Sequence, residues 1–375
     1  MPSAAENASW LESLSPWPEE FGLARMEQLL SALGDPQRSF RAIHVVGTNG
    51  KTTTTRLLEA LLSGEDLAVG AYTSPHVLGW AERIRARGAE VDLERSLSRV
   101  RGAAEEAGAT QFEVLTAAAL AEFAAQEVDV AVVEAGLGGR LDATNVLRAG
   151  LVVLTNVGLE HTEVLGDTRE LIAAEKLAVA PPGATVILGE AEWEEAARAA
   201  GAESVVFAGS SNLALALAAA ETFLARQVDP APAEGLWIPG RVEHVSEQPL
   251  EIWDGAHNLA GVGWLLARLP SQRYVVVASI LEDKDADGML AALSALGDTF
   301  VATASGNLRA IPSDELAERA RAFFSEVSAI AEPNRAVSFA REAAGDDGAV
   351  LVTGSLYLLA DLATFRPATA LPWRQ

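Results

Sequence analysis

No cysteine occurs in this sequence, which excludes disulfides, thiolate metal sites and cysteine nucleophiles outright. Lysine is almost as scarce: Lys51, Lys176 and Lys284 are the only three, and the rest of the 28 basic residues are arginine. Such a bias leaves lysine where arginine's planar, permanently charged fork does not serve, as at a compact phosphate contact or an amine that must lose its proton. Basic charge is in deficit as a whole, 28 residues against 52 acidic ones, for a formal net charge of −24. That balance argues against a nucleic-acid backbone or an anionic membrane as partner and favours small-molecule substrates. Long apolar runs are missing too. The most apolar helical stretch, around Leu213 to Ala220, is short and alanine-rich, so no membrane span is expected. Met1 to Glu20 carries acidic residues and prolines where a signal peptide would carry basic residues and then an apolar run, and the expected location is cytoplasmic. At 375 residues, 49% of them hydrophobic, the chain is too long for one typical core, and two domains are expected.

What is present centres on residues 43 to 62, where a short apolar run meets a Gly-Lys-Thr turn and then a helical pattern. Gly47 and Gly50 leave room for backbone N–H groups to face an anion, and a helix beginning near Lys51 points its positive end at the same place. Lys51 adds a full charge, and the hydroxyls of Thr52 and Thr53 are in position for a phosphate or a phosphate-bound magnesium ion. Only Thr48 and Asn49 separate the two glycines, where the usual loop has four residues. The stretch predicts a nucleoside triphosphate site.

Three further strand ends carry polar residues. The strand from Leu67 to Tyr72 ends in Thr73-Ser74-Pro75-His76, read either as ligand hydroxyls or as a turn stopped by proline. Asp129 to Ala135 reads as a buried parallel strand ending in Glu134, a magnesium candidate by its place, with a plain surface glutamate as the alternative. The strand from Leu151 to Thr155 delivers Asn156 to His161, a histidine that is either a ligand or a packing residue. A glycine-rich loop, Gly136 to Asn145, carries Arg140 and Asp142, and a helix after His161 carries Glu175-Lys176. Ahead of the loop, two helical pieces between residues 7 and 33 are broken by Pro16 and Pro18, and residues 92 to 126 read as two more helices. Past Lys176 come short strands near Val186 and Val205 and a helix from Asn212 to Ala225. A proline-rich connection spans Asp229 to Gly240, and the expected domains are 1–238 and 239–375. The second alternates strand and helix, with strands near 250–253, 274–280, 299–303 and 349–353, as a three-layer α/β unit. Arg241 stands on the linker, and Asp254-Gly-Ala-His-Asn258 sits at a strand-to-helix turn.

In these motifs the chain resembles the folylpolyglutamate synthase and dihydrofolate synthase family, within the Mur-type ligases, from about residue 20 to about residue 360. The shortened phosphate loop belongs to that resemblance. The fold it implies is α/β: an N-terminal P-loop ATPase domain of Mur-ligase type, then a smaller Rossmann-like α/β domain. It assigns ATP to Gly47, Thr48, Asn49, Gly50, Lys51, Thr52, Thr53, Asn212, Arg241 and Asp254. Magnesium, two ions in all, falls to Ser74, Glu134 and His161. Lys176 would be carbamylated, turning a cation into an anion able to orient the second ion. Pterin contacts would fall on Gly22, Leu23, Phe112, Glu113, Leu141, Asp142 and Ala143, and glutamate contacts on His257 and Ser355. Lys51, Lys176 and His257 would be the catalytic set. The implied reaction is ATP-dependent joining of L-glutamate to a folate or pteroate through an acyl phosphate, by a monomer with small-molecule substrates only. A Mur-type ligase for another carboxylate and a non-catalytic nucleotide binder are the alternatives. Thr52-Thr53 looks more like the cell-wall ligases, Leu259 replaces a common proline, and the 207–212 region looks short. Only 46 residues precede Gly47, too few for the nucleotide-sugar module of those ligases.

Overall fold

The computed structural model describes residues 6–364, and the chain divides into two compact units. Of the described residues, the first comprises 6–75 and 80–236 and the second 76–79 and 237–364.

The first unit is built on an eight-stranded sheet of β1 (Arg41–Val46), β2 (Val69–Tyr72), β3 (Ile84–Ala86), β4 (Ala89–Glu90), β5 (Val130–Glu134), β6 (Leu151–Leu154), β7 (Ala184–Leu188) and β8 (Ala202–Phe207). Its order is β4-β3-β2-β5-β1-β6-β7-β8. All pairings are parallel except β2 with β3 and β3 with β4. Central strands covered on both faces need apolar residues on both, which is why Val130-Ala-Val-Val133 and Leu151-Val-Val-Leu154 are unbroken apolar runs. On one face, Ile43, Val45, Val130 and Val132 pack against Leu58, Leu61 and Leu62 of the helix Lys51–Gly64 and Leu215 and Ala219 of the helix Asn212–Leu224. On the other, Ala131 and Val133 pack against the helices Leu93–Ala107 and Gln111–Ala125.

The second unit holds β9 (Glu243–Glu247), β10 (Leu250–Trp253), β11 (Val275–Ala278), β12 (Thr299–Ala302), β13 (Glu326–Ala329) and β14 (Ala349–Thr353), in the order β13-β12-β11-β14-β10-β9. Only β9 runs antiparallel to its neighbour. Alternate residues of β11, Val276 and Ala278 against Val275 and Val277, enter separate cores on its two faces. Both units are thus α/β, and no helix among the described residues is long and apolar enough to cross a membrane.

Among the elements not expected are the β3–β4 hairpin, β9, β13 and the helices Thr162–Leu165, Glu194–Ala200, Pro333–Ala344 and Leu356–Ala363. The hairpin strands hold three and two residues, too few to show alternation. Their turn is marked instead by Arg87 and Gly88, both left-handed at φ 53° and 81°. Strands β9 and β13 are edges in which polar residues interrupt the apolar ones, Glu243-His-Val-Ser-Glu247 and Glu326-Val-Ser-Ala329, and so lack an apolar run.

Candidate active site

Strand β1 delivers the chain into Gly47, whose φ is 148°; a Cβ there would lie 1.9 Å from Thr155 Oγ1, so no side chain fits. Thr155 donates its hydroxyl to the Asn49 carbonyl at 2.7 Å. Asn156 accepts the Thr48 N–H on its own carbonyl and the Asn49 N–H on Oδ1, each at 2.9 Å. The residues just past β6 therefore hold the loop's shape, a role that the sequence reading did not give to Thr155 or Asn156. Their signal was there: a hydroxyl and an amide at the end of the strand neighbouring β1. The Thr48 hydroxyl accepts from the Gly158 N–H at 2.9 Å, and Asn212 Oδ1 lies 2.5 Å from where a Cβ on Gly50 would be. Gly50 is left-handed, and the helix Lys51–Gly64 opens after it with no side-chain cap, so its N–H groups and dipole point into the loop. Lys51 Nζ donates to the carbonyls of Gly47 and Thr48, both at 3.2 Å. Thr53 on the same turn is half-buried.

Glu134 ends β5 in register with Val45 and is 1% exposed. Thr52 Oγ1 lies 3.0 and 2.9 Å from its two oxygens, and the Ser74 N–H donates to Oε2 at 3.1 Å. Carboxylate and hydroxyl oxygens are the donors a hard divalent cation takes. His161 heads the short helix Thr162–Leu165 with a left-handed φ of 52°, its Nε2 4.0 Å from Glu160. Among the described residues, no group of three or more His, Asp or Glu side chains converges as a metal cage.

Lys176 is 5% exposed and donates to the Gly47 carbonyl at 2.8 Å. Burial, and after it the charge of Lys51, brings its ammonium down from 10.5 to about 7, against the opposing pull of Glu160, Asp142 and Glu175. The glycine-rich loop lies against the same helix: a Cβ on Gly139 would stand 2.6 Å from the Lys176 carbonyl, and the Arg140 N–H donates to the Glu175 carbonyl at 3.1 Å. Of Leu141, Asp142 and Ala143, only Leu141 is exposed, at 43%. The Asp142 carboxylate turns inward onto the N–H groups of Leu137 and Thr144, and burial raises its pKa.

Phe112 lies half-buried, its ring 6.1 Å from that of Tyr72 and pressed on Gly136, where a Cβ would meet Phe112 Cζ at 2.5 Å. Glu113 is consumed internally, accepting from Thr110 N at 2.8 Å and from Arg25 Nε at 2.8 Å. Gly22 and Leu23 are half-buried at the entry to the helix Ala24–Ala32.

In the second unit, Asp254 follows β10 and accepts from the N–H groups of Val242 and Ala256 at 2.9 and 2.8 Å. Burial raises its pKa and the Arg241 charge opposes that. Arg241 Nη1 donates to the Gly240 carbonyl at 3.0 Å. A His257 ring nitrogen sits 2.8 Å from the Gly255 carbonyl. Ser355, 1% exposed, caps the helix Leu356–Ala363 by accepting from the Tyr357 N–H. The Gly354 N–H donates to the Ala256 carbonyl, which brings His257 and Ser355 to one end of this sheet.

Residues 45–229 match the Mur ligase middle domain family, and residues 240–356 match the family described as Mur ligase, glutamate ligase domain. The chain is 31% identical to the dihydrofolate synthase/folylpolyglutamate synthase of Bacillus subtilis, over 94% of this chain and 97% of the relative. It is similar to the structure of Mycobacterium tuberculosis folylpolyglutamate synthase complexed with ADP, at 30% identity and a TM-score of 0.88, covering 97% of this chain and 99% of that one. The Yersinia pestis bifunctional folylpolyglutamate synthase/dihydrofolate synthase complexed with AMPPNP and a Mn ion aligns at 31% identity and a TM-score of 0.86, covering 97% and 99%.

Proposed function

This chain belongs to the dihydrofolate synthase/folylpolyglutamate synthase family of Mur-type ligases, and we propose from that premise that it joins L-glutamate to the carboxylate of a folate or pteroate, with ATP cleaved to ADP and phosphate. The observation that carries the reading is the gathering, around one short loop, of Lys51, the Thr52–Glu134 pair and Lys176. Phosphoryl transfer asks a protein chiefly for positioning and for charge opposite the phosphate oxygens. The loop N–H groups and Lys51 supply both. The substrate carboxylate attacks the γ-phosphorus and ADP leaves; the glutamate amine then attacks the acyl carbon, phosphate leaves, and the amine proton is lost to solvent or a base.

Glu134, Thr52, Ser74 and His161 are the groups assigned to divalent cations, magnesium by preference and two in number, and the oxygen donors around the buried Glu134 carboxylate fit that chemistry. Bound there, the cations would neutralise phosphate charge. For Lys176 we read carbamylation. An amine held near 7 is substantially neutral at cellular pH; its nitrogen attacks carbon dioxide, an N–C bond forms, a proton is released, and an anion replaces the cation. Asn212, Arg241 and Asp254 are assigned to the nucleotide, and Gly22, Leu23, Phe112 and Leu141 to the pterin. Glu113, Asp142 and Ala143 shape the pterin pocket from behind. His257 and Ser355 are assigned to glutamate. The test is glutamate-dependent ADP release over a panel of dihydropteroate, tetrahydrofolate and unrelated carboxylates, with the product one glutamyl residue heavier by mass. ADP release without that product, or with unrelated carboxylates alone, overturns the reading.

A further inference from the structure

We propose that His44, in the strand that leads into the phosphate loop, is a positioning residue for the carboxylate substrate: through Thr144 and Asp142 it sets the Gly136–Asn145 loop against β1. The inference rests on the functional reading above, which puts the pterin against that loop.

His44 is fully buried, alternating along β1 with Ile43 and Val45, which enter the opposite core. Its Nε2 is 2.8 Å from Thr144 Oγ1. The Thr144 hydroxyl has one proton, and that proton goes to Asp142 Oδ1. The imidazole is therefore the donor, with its hydrogen on Nε2. Nδ1, left bare, is buried with no hydrogen-bond partner. Burial takes the ring down to about 4, so it stays neutral throughout the physiological range.

A purely structural strand position has no need of this residue. An imidazole with one nitrogen unsatisfied costs free energy where a leucine would continue the apolar run. What the ring provides is a directed bond to a loop. Asp142, held through Thr144, also accepts the N–H groups of Thr144 at 3.0 Å and Leu137 at 2.8 Å, so one carboxylate ties both ends of the loop. On its far side the loop meets Glu175 and Lys176 at Arg140 and Gly139, and Lys176 returns to the Gly47 carbonyl. The path closes on itself: His44, Thr144, Asp142, the loop, Lys176, Gly47 and back along β1 to His44. The loop that presents Leu141 and the loop that faces the phosphates thus share one frame.

His44→Leu and Thr144→Val each remove the relay, and His44→Gln keeps an N–H donor near the position of Nε2. We expect His44→Leu and Thr144→Val to raise KM for dihydropteroate about tenfold, the scale of one hydrogen bond of ordinary net strength. KM for ATP should stay within about twofold, and His44→Gln should recover most of the loss. An unchanged dihydropteroate KM in both relay variants, equal effects on the two substrates, or a His44→Gln enzyme as impaired as His44→Leu overturns the proposal. If His44→Leu does not fold, the nearly isosteric Thr144→Val carries the test. Amide exchange at Leu137 and Thr144, measured without substrate, should be about tenfold faster in the variants, and unchanged rates also overturn it. A wild-type enzyme that makes no glutamyl product refutes the functional reading alone, while the exchange rates still decide the role of His44.

Discussion

Lys176→Met keeps a long unbranched side chain in a position that is 5% exposed and takes away its charge. In the wild type, burial and then Lys51 bring the ammonium from 10.5 to about 7; a drop of that size corresponds to roughly 5 kcal/mol between the protonation states. Below pH 7 the folded protein carries the whole penalty, because both states hold the proton. Between pH 7 and about 10.5 only the unfolded chain holds it, so wild-type stability rises with pH through that window by about 1.4 kcal/mol per pH unit, and levels off above it. Methionine has no such slope. It forfeits the bond from Nζ to the Gly47 carbonyl, 2.8 Å long, about 1 kcal/mol net. In bicarbonate-free buffer the variant should therefore be the more stable protein at pH 6, and its advantage should narrow by roughly 3 kcal/mol by pH 9, while ligation is abolished at every pH. Urea unfolding at several pH values reads the gap. The scarcity of lysine supplies a second readout, since protein labelled with 13Cε-lysine gives three signals for Lys51, Lys176 and Lys284. One should titrate near 7 and be absent from the variant. Parallel stability curves, or no lysine titrating below pH 9, would refute the reasoning.

Lys51→Ala should leave the circular dichroism spectrum unchanged and lower kcat at least about a hundredfold, since an electrostatic contact to transferring phosphate contributes about 3 kcal/mol; wild-type ADP release would remove the phosphate-loop assignment. Glu134→Gln should shift the magnesium dependence of activity to concentrations at least about tenfold higher, because a neutral amide is a poorer ligand for a hard cation; a superimposable magnesium titration counts against Glu134. Phe112→Ala should raise KM for dihydropteroate about tenfold and leave KM for ATP within about twofold, a stacking face being lost; equal changes in both would mark the ring as core only.

Much of this was legible because the strongest patterns sit where the strands are buried on both faces. The apolar run before Gly47, the glycine pair and the helix from Lys51 follow from local requirements, and the structure has the helix opening at that lysine. Strand ends were legible for the same reason: a carboxylate closing an all-apolar strand, as Glu134 does, has no local explanation. What could not be read was the direction of a side chain within a loop. The family resemblance groups Asp142 and Glu113 with the pterin contacts, and only the structure gives their hydrogen bonds: one carboxylate closes its own loop and the other caps a helix and pairs with Arg25. Thr155, Asn156 and His44 gain their roles only when distant parts of the chain are brought side by side, through hydrogen bonds that span a hundred residues or more along the chain. Edge strands β9 and β13 escaped because a solvent-facing strand carries no apolar signature.

The short segment His76 to Gly79 belongs to the second compact unit although the chain on either side of it belongs to the first. Val77, 4% exposed, is part of the apolar cluster of Trp253, Val352, Leu356 and Leu359. The gene order of this protein is therefore not its modular order. A fragment beginning at Trp237 would carry an apolar hole where Val77 belongs, and a clean exchange of second units between homologous genes at the 236/237 junction would leave Val77 behind to fit a foreign core. Recombination at that junction should succeed only between parents whose residue at position 77 is matched, which makes this four-residue insert a hidden compatibility tag of the second unit.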